Sequence, residues 1–368
     1  MSTAAGAVQE VARILDRAAA GRRLTEAEAL VLYEAAELGP LGEAADAVRA
    51  RVHPEGLVTY VIDRNINYTN ICNAYCSFCV FYRPKGHPEG YVLTHEQIFE
   101  KIAELKAVGG TEVLMQGGIH PDLTIEFYEA LLRAIKARFD IHLHAFSPPE
   151  IDYIAKVSNL SLAETLARLK AAGLDSIPGG GAEILVDRVR ESISRLKIRS
   201  EPWLAVMREA HRQGIPSTAT MMYGTVETPA EVIAHLGKIR ALQDETGGFT
   251  AFIAWNFQPA GTPLARARGS RLRRLPDDHY LRTVAVARLF LDNVRNLQAS
   301  YVTQGKAVAQ RALRFGVNDM GGTMMEENVV SAAGTKHLMA IEELVQLIRD
   351  AGFRPAQRNT RYEILRIH

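Results

Sequence analysis

The sequence predicts an α/β fold, a (β/α)8 barrel of the TIM type with a helical extension at its N-terminus and an arm at its C-terminus. Three observations carry this expectation. Short apolar or β-branched runs alternate with segments of helical period. The alternation repeats eight times between Leu57 and Asp319. A polar or glycine-rich cluster follows every run, as rim loops follow the strands of a barrel. A doubly wound open sheet is the competing architecture.

Residues 1–55 read as the extension: three short helices with alanine-rich faces, the second opened by the capping box Thr25-Glu26-Ala27-Glu28. Residues 56–336 form the predicted barrel. Its candidate strands are LVTYVID, TEVLM, DIHLHAF, LDSI, IPSTATMM, FTAFIAW, LQASYV and the weaker FGVND. Among the helices between them, THEQIFEKIAELKAVGG has a capping box from Thr94 to Gln97 and two glycines at its end, and SLAETLARLKAAG repeats that design from Ser161. Residues 337–368 hold a last helix, IEELVQLIRDAG, and FRPAQRNTRYEIL, a strand or arm packed on the barrel. The clusters after the runs are NINYTNIC, QGGIHP, SPPE, PGGGAE, YGTVE, NFQP, TQG and GGTMMEEN. Such residues suit loops lining one rim.

The 368 residues are 47% apolar and 23% charged, which is enough apolar content for a full core. With 43 basic against 42 acidic side chains, no overall field draws the chain to nucleic acid or anionic lipid, so a small-molecule substrate is expected. The first twenty residues contain acids and no uninterrupted apolar core, so neither a secretory signal nor a membrane span is read there and a cytoplasmic location is expected.

All three cysteines fall in Cys72-Asn-Ala-Tyr-Cys76-Ser-Phe-Cys79. The CxxxCxxC spacing lets one loop present three thiolates to a [4Fe–4S] cluster, leaving the fourth iron open to a ligand. Zinc is the alternative, but His87 lies eight residues beyond Cys79 and the spacing is not that of a knuckle. Three unrelated buried thiols fit worse. A non-catalytic electron-transfer or scaffold protein would need a fourth ligand, and no cysteine remains to supply it.

This motif after the first strand resembles the radical S-adenosylmethionine (radical SAM) superfamily. The resemblance implies that the open iron chelates S-adenosylmethionine and that one electron yields a 5′-deoxyadenosyl radical. It places Phe78 near the adenine, Gln116-Gly117-Gly118 where the family has a Gly-Gly-Glu-like turn for the methionine ammonium, and Glu183 at the ribose hydroxyls. A helix N-terminal acid is the other reading of Glu183. Lys197 is assigned to the methionine carboxylate or to solvent.

Longer stretches, among them VTYVIDRNINYTNIC, FYRPKGHPEGY, HAFSPPEI and SIPGGGAEILVDRVR, resemble enzymes acting on futalosine-type nucleosides in menaquinone synthesis. FYRPKGHPEGY and HAFSPPEI favour the cyclic dehypoxanthine futalosine synthases over the aminofutalosine synthases and the deazaflavin-cofactor synthases. The resemblance implies hydrogen removal from C4′ of the substrate ribose, ring closure onto a benzoate, and loss of one electron and one proton. As partners it implies a nucleoside-like substrate and reduced flavodoxin or ferredoxin as electron donor, and it allows a homodimer.

Such a reaction needs a base, and carboxylates at strand ends are the candidates. Asp319 is favoured over Glu227, Glu326 and Glu327. Tyr82, Arg83 and His87 follow the cysteine loop and suit substrate contacts, Arg83 a carboxylate, although loop solvation explains them equally well. His142 and His144 share one strand face, and His144, nearer the strand's C-terminal end, is expected in the pocket. Tyr223, Asn256, Gln258, Gln304 and Asn318 complete the polar rim expected around a sugar.

Overall fold

The computed structural model describes residues 4–269, 272–329, 331–334 and 338–368. Helices Ala4–Ala19, Glu26–Ala35 and Leu38–Val52 form the N-terminal extension. The second opens as predicted, with the Thr25 hydroxyl accepting from the Glu28 N–H and the Glu28 carboxylate accepting from the Thr25 N–H. They pack on the barrel's outer helix Asp277–Phe290, where Arg282 donates to the Ala36 carbonyl at 2.6 Å. The boxes at Thr94 and Ser161 also form, and Gly173 ends its helix at φ +119°.

Ten strands occur among the described residues: β1 Leu57–Val61, β2 Asp63–Ile66, β3 Glu112–Met115, β4 His142–Ala145, β5 Ser217–Tyr223, β6 Phe249–Asn256, β7 Asn296–Gln298, β8 Asp319–Gly322, β9 Arg354–Arg358 and β10 Ile364–Ile367. β2, β3 and β4 pair in parallel, as do β5, β6, β7, β8 and β1. Parallel bridges from His144 to Ser176 and from Ile177 to Ser217 join the two sets. β1 and β2 are one run interrupted at Ile62, so the parallel circuit closes: this is a (β/α)8 barrel. Its fourth position, LDSI, is reduced to those two bridges. The strands are buried on both faces, which is why they read as nearly continuous apolar runs.

The interruption at Ile62 has a cause in the C-terminal arm. β9 pairs in parallel with β1 from Leu57 to Tyr60, along the edge that β8 leaves free, and β10 folds back antiparallel. β3 therefore meets only the β2 half of the first run. The arm enters the sheet as a strand and reaches the barrel interior. Between the helical extension and the barrel lies the turn from Val52 to Leu57; the boundary placed at 336/337 lies outside the described residues.

Two runs depart from expectation. The eighth strand begins at Asp319, where FGVND was expected to end, because Gly316 at φ +94° turns the chain against Arg288 and leaves 315–317 outside the sheet. In the seventh, only Asn296–Gln298 is strand; Tyr301–Gln304 is helical, with Ser300 and Thr303 hydroxyls 2.7 Å apart across its start. No helix among the described residues is long and apolar enough to cross a membrane.

Candidate active site

The cysteine loop begins six residues beyond β2, and backbone bonds fasten it on every side. The Cys72 N–H donates to Arg83 O at 3.0 Å, Asn73 N–H to Ile119 O at 2.9 Å, and Ser77 N–H to Ile193 O at 2.9 Å. Cys72, Cys76 and Cys79 are all free and all line one cavity of about 420 Å³ inside the barrel. Among the described residues, no three His, Cys, Asp or Glu side chains converge as a site for one ion. Thiolates that each take a separate iron of a cubane need no such convergence. Burial pushes the Cys76 thiol up to about 12 and Cys79 upward as well, so ionised sulfur here depends on a bound cation.

Phe78, Gln116, Gly117, Gly118, Glu183 and Lys197 line the same cavity. Glycine is required at 118: a Cβ there would lie 2.2 Å from the Ile71 carbonyl oxygen, inside the cysteine loop. Glu183 takes a left-handed φ of +42° and is held by Lys197 Nζ at 2.9 Å and by Arg190 Nη1 at 3.3 Å. Lys197 is therefore not the solvated lysine that the sequence left open. Burial would lower its pKa, but Cys76 and Glu183 outweigh that and hold the ammonium above its usual range. Its Nζ stands 5.3 Å from the Phe78 ring centre.

The cavity is also lined by His144, Asn256, Gln258 and Tyr82, whose ring packs 5.6 Å from that of Tyr75 in the cysteine loop. His144 Nδ1 lies 2.6 Å from Ser176 Oγ, and burial drops its pKa to about 3, so the ring is neutral. His142, bonded to the same hydroxyl at 2.7 Å, does not reach the cavity. Asn256 ends β6 with both amide atoms buried and unbonded. Buried amides without a partner are uncommon and suit a ligand's hydroxyls.

Several expected residues lie elsewhere. Asp319, at the start rather than the end of its strand, is buried beneath the cavity, where Arg358 binds it at 2.5 and 3.0 Å, Thr59 donates to it and Gly321 N–H caps it. Its lone pairs are occupied, so it is not placed to take a proton from a substrate. Glu227 folds onto its own turn, accepting the Gly224, Thr225 and Val226 N–H groups. Asn318 binds Arg288 at 2.7 Å and the Leu297 N–H. Tyr223 points outward from β5, its ring stacked 5.6 Å from His279. Arg83 is spent on Glu89 and on the carbonyls of Val80, Phe81 and Tyr82, and His87 Nδ1 accepts the Glu89 N–H in a local turn. Gln304 sits in the short helix with its Nε2 on Thr303 Oγ1. Of the two later acids, Glu326 pairs with Arg64 and Lys101 while Glu327 lines the cavity mouth.

The cavity also holds residues that the motif reading passed over. Asp63 and Glu112 are register partners on β2 and β3, both buried and both lining it. Asp63 Oδ1 accepts the Met324 N–H at 2.7 Å, and burial, with Glu112 beside it, pushes this carboxyl up to about 7. Glu150 binds the Gly117 N–H at 3.0 Å and the Tyr68 hydroxyl at 2.8 Å. From below, Arg358, Thr360 and Tyr362 of the arm form a floor, and the Thr360 and Tyr362 hydroxyls are buried without partners. The signal for the first pair was a charge inside an apolar run, which is costly unless it has a use. For the floor it was alternation at period two in the arm.

The sequence matches the model of the Radical SAM superfamily over residues 66–239 and that of the CofH/MqnC C-terminal region over 246–368. Cyclic dehypoxanthine futalosine synthase of Halalkalibacterium halodurans is 51% identical over 96% of this chain and 94% of that protein. The Streptomyces coelicolor protein of the same name is 48% identical over 96% and 89%. The 5-amino-6-(D-ribitylamino)uracil–L-tyrosine 4-hydroxyphenyl transferase 1 of Methanosarcina mazei is 42% identical over 95% and 92%. Two solved structures share the fold: the FeFe-hydrogenase maturase HydG from Carboxydothermus hydrogenoformans (TM-score 0.74, 16% identity, 96% of this chain and 81% of that one) and methylornithine synthase PylB (TM-score 0.72, 20% identity, 93% and 97%). With a three-cysteine loop on the first strand of a closed barrel and relatives matched along nearly its whole length, the chain belongs to the radical SAM superfamily, in the branch that carries the CofH/MqnC C-terminal region, and is a radical SAM enzyme.

Proposed function

We propose that the enzyme cyclises dehypoxanthine futalosine to cyclic dehypoxanthine futalosine, a step of menaquinone synthesis. Two of its relatives carry that name, at higher identity than the transferase relative. The observation that carries the reading is one cavity lined by three cysteines, a buried carboxylate pair and an unpartnered amide. Family membership implies a [4Fe–4S] cluster and S-adenosylmethionine, and the residues present fit them: Cys72, Cys76 and Cys79 as iron ligands, with Phe78, Gln116, Gly117, Gly118, Glu150, Glu183 and Lys197 around the cofactor. When bound, these groups supply a carbon radical able to take hydrogen from a sugar.

The remaining tasks fall to the chain. Asn256 and the neutral His144 bind ribose hydroxyls and fix the sugar against the arene, since ring closure needs the reacting carbons in near-attack geometry. The arm closes the floor and excludes water. The proton lost when the ring regains aromaticity passes to the Asp63–Glu112 pair, whose first member titrates near neutrality, as a base must, and the electron lost with it would go to the oxidised iron–sulfur cluster that Cys72, Cys76 and Cys79 would hold.

The test is anaerobic reconstitution with iron and sulfide, reduction, and addition of S-adenosylmethionine and dehypoxanthine futalosine. Mass spectrometry is expected to show the cyclic product with stoichiometric 5′-deoxyadenosine and methionine. Turnover only of the enolpyruvyl benzoate substrate of aminofutalosine synthase, or transfer of a 4-hydroxyphenyl group from tyrosine to a ribitylaminouracil, would overturn the reading.

A further inference from the structure

Charge is balanced over the whole chain and strongly unbalanced at one place. Between Pro259 and Pro276 there are five arginines and no carboxylate. The described part of this segment lies against the cysteine loop. Helix Pro263–Arg268 starts there, and its Leu264 N–H donates to the Ser77 carbonyl at 2.7 Å, between Cys76 and Cys79. Ser77 is held from its other side by the Ile193 carbonyl, which accepts both its N–H and its hydroxyl at 2.9 Å. The chain after Ile193 turns outward through Arg195 and Leu196, the latter 60% exposed. Arg268 reaches across to Ser192 Oγ at 3.2 Å and so ties the two segments into one surface.

On this surface Arg195, Arg266 and Arg268 are exposed and have no carboxylate partner among the described residues; Arg266 donates only to the Gly261 carbonyl. The neighbouring Glu191 is neutralised by Arg199. Arginine is enriched at protein-binding surfaces, and three arginines here stand together in a patch without a counter-charge among the described residues. Its sign selects an acidic partner, and its place, one backbone hydrogen bond from the cysteine loop, selects a partner that must come near that loop.

We propose that Arg195, Leu196, Arg266 and Arg268 form the docking face for an acidic electron-carrier protein. This rests on the proposed reductive chemistry, which consumes one electron per cleavage. The electron leaves the carrier's reduced cofactor, which is oxidised by one, and enters at the cysteine loop, with no group or proton transferred across the interface. Association steered by opposite charge also weakens as salt rises.

The test uses cluster-loaded enzyme and an acidic flavodoxin as probe. Calorimetric titration at low salt is expected to show binding that R266E/R268E weakens by about tenfold or more and that raised salt weakens in the wild type. Flavodoxin-driven 5′-deoxyadenosine formation falls in parallel in the variant, while formation driven by dithionite is unchanged. Equal flavodoxin binding by wild type and variant overturns the docking face, as does tighter wild-type binding of a short single-stranded RNA. Failure of the wild type to form 5′-deoxyadenosine with dithionite overturns instead the radical reading, and with it the need for a donor.

Discussion

A carboxylate buried at the start of a parallel strand is expensive, and Asp63 and Glu112 put two side by side. Burial and this repulsion favour the protonated form of Asp63, so its carboxylate is populated as pH rises through about 7. The groups that act on it are Glu112 from β3, Arg358 from β9, Tyr301 from the helix after β7 and the Met324 N–H. Cyclised product per unit time is therefore expected to increase with pH through that range. Asp63→Asn should remove this limb and lower product formation by about 10² to 10⁴, the usual contribution of a positioned base. Measuring 5′-deoxyadenosine alongside the product checks the assignment, because loss of a base leaves cofactor cleavage uncoupled, whereas a damaged cofactor site lowers both. His144, neutral down to about pH 3, contributes no inflection between pH 5 and 9. Both acids begin their strands, whereas the expectation for a barrel base fell on strand ends and so on Glu227 and Asp319.

At the scale of elements, the cysteine loop owes its shape less to its own sequence than to what it docks on. Gly118 is the tightest contact, with backbone where any Cβ would go. Gly118→Ala is expected to displace Ile71 and Cys72, lowering iron bound per chain after reconstitution, with a thermal midpoint within a few degrees of wild type because the strands beneath are untouched. Iron assay and circular dichroism together decide it. The helices were legible in detail, including the capping boxes at Thr25, Thr94 and Ser161, because caps are local hydrogen bonds within four residues. Strand ends were less so. The FGVND and LQASYV runs have strand composition, but Gly316 and the Ser300–Thr303 pair hand part of each to a turn and a helix.

The whole molecule is closed by a contact between distant parts of the chain, Asp319 of β8 with Arg358 of β9. Both are buried, so removing either leaves an uncompensated charge. Arg358→Met is expected to cost about 3–5 kcal/mol in denaturant unfolding. The double variant Arg358→Met with Asp319→Asn should recover part of that loss, and a double variant no more stable than the single one would sink the pairing as the source. The sequence by itself determined the barrel and the three-cysteine loop, because hydrophobic period, caps and cysteine spacing are local and additive. Only the tertiary structure decided which polar residues face inward. A one-residue difference in where a strand begins exchanges cavity for wall, and the C-terminal arm, unreadable as part of a parallel barrel, supplies the floor and takes Asp319 out of the chemistry.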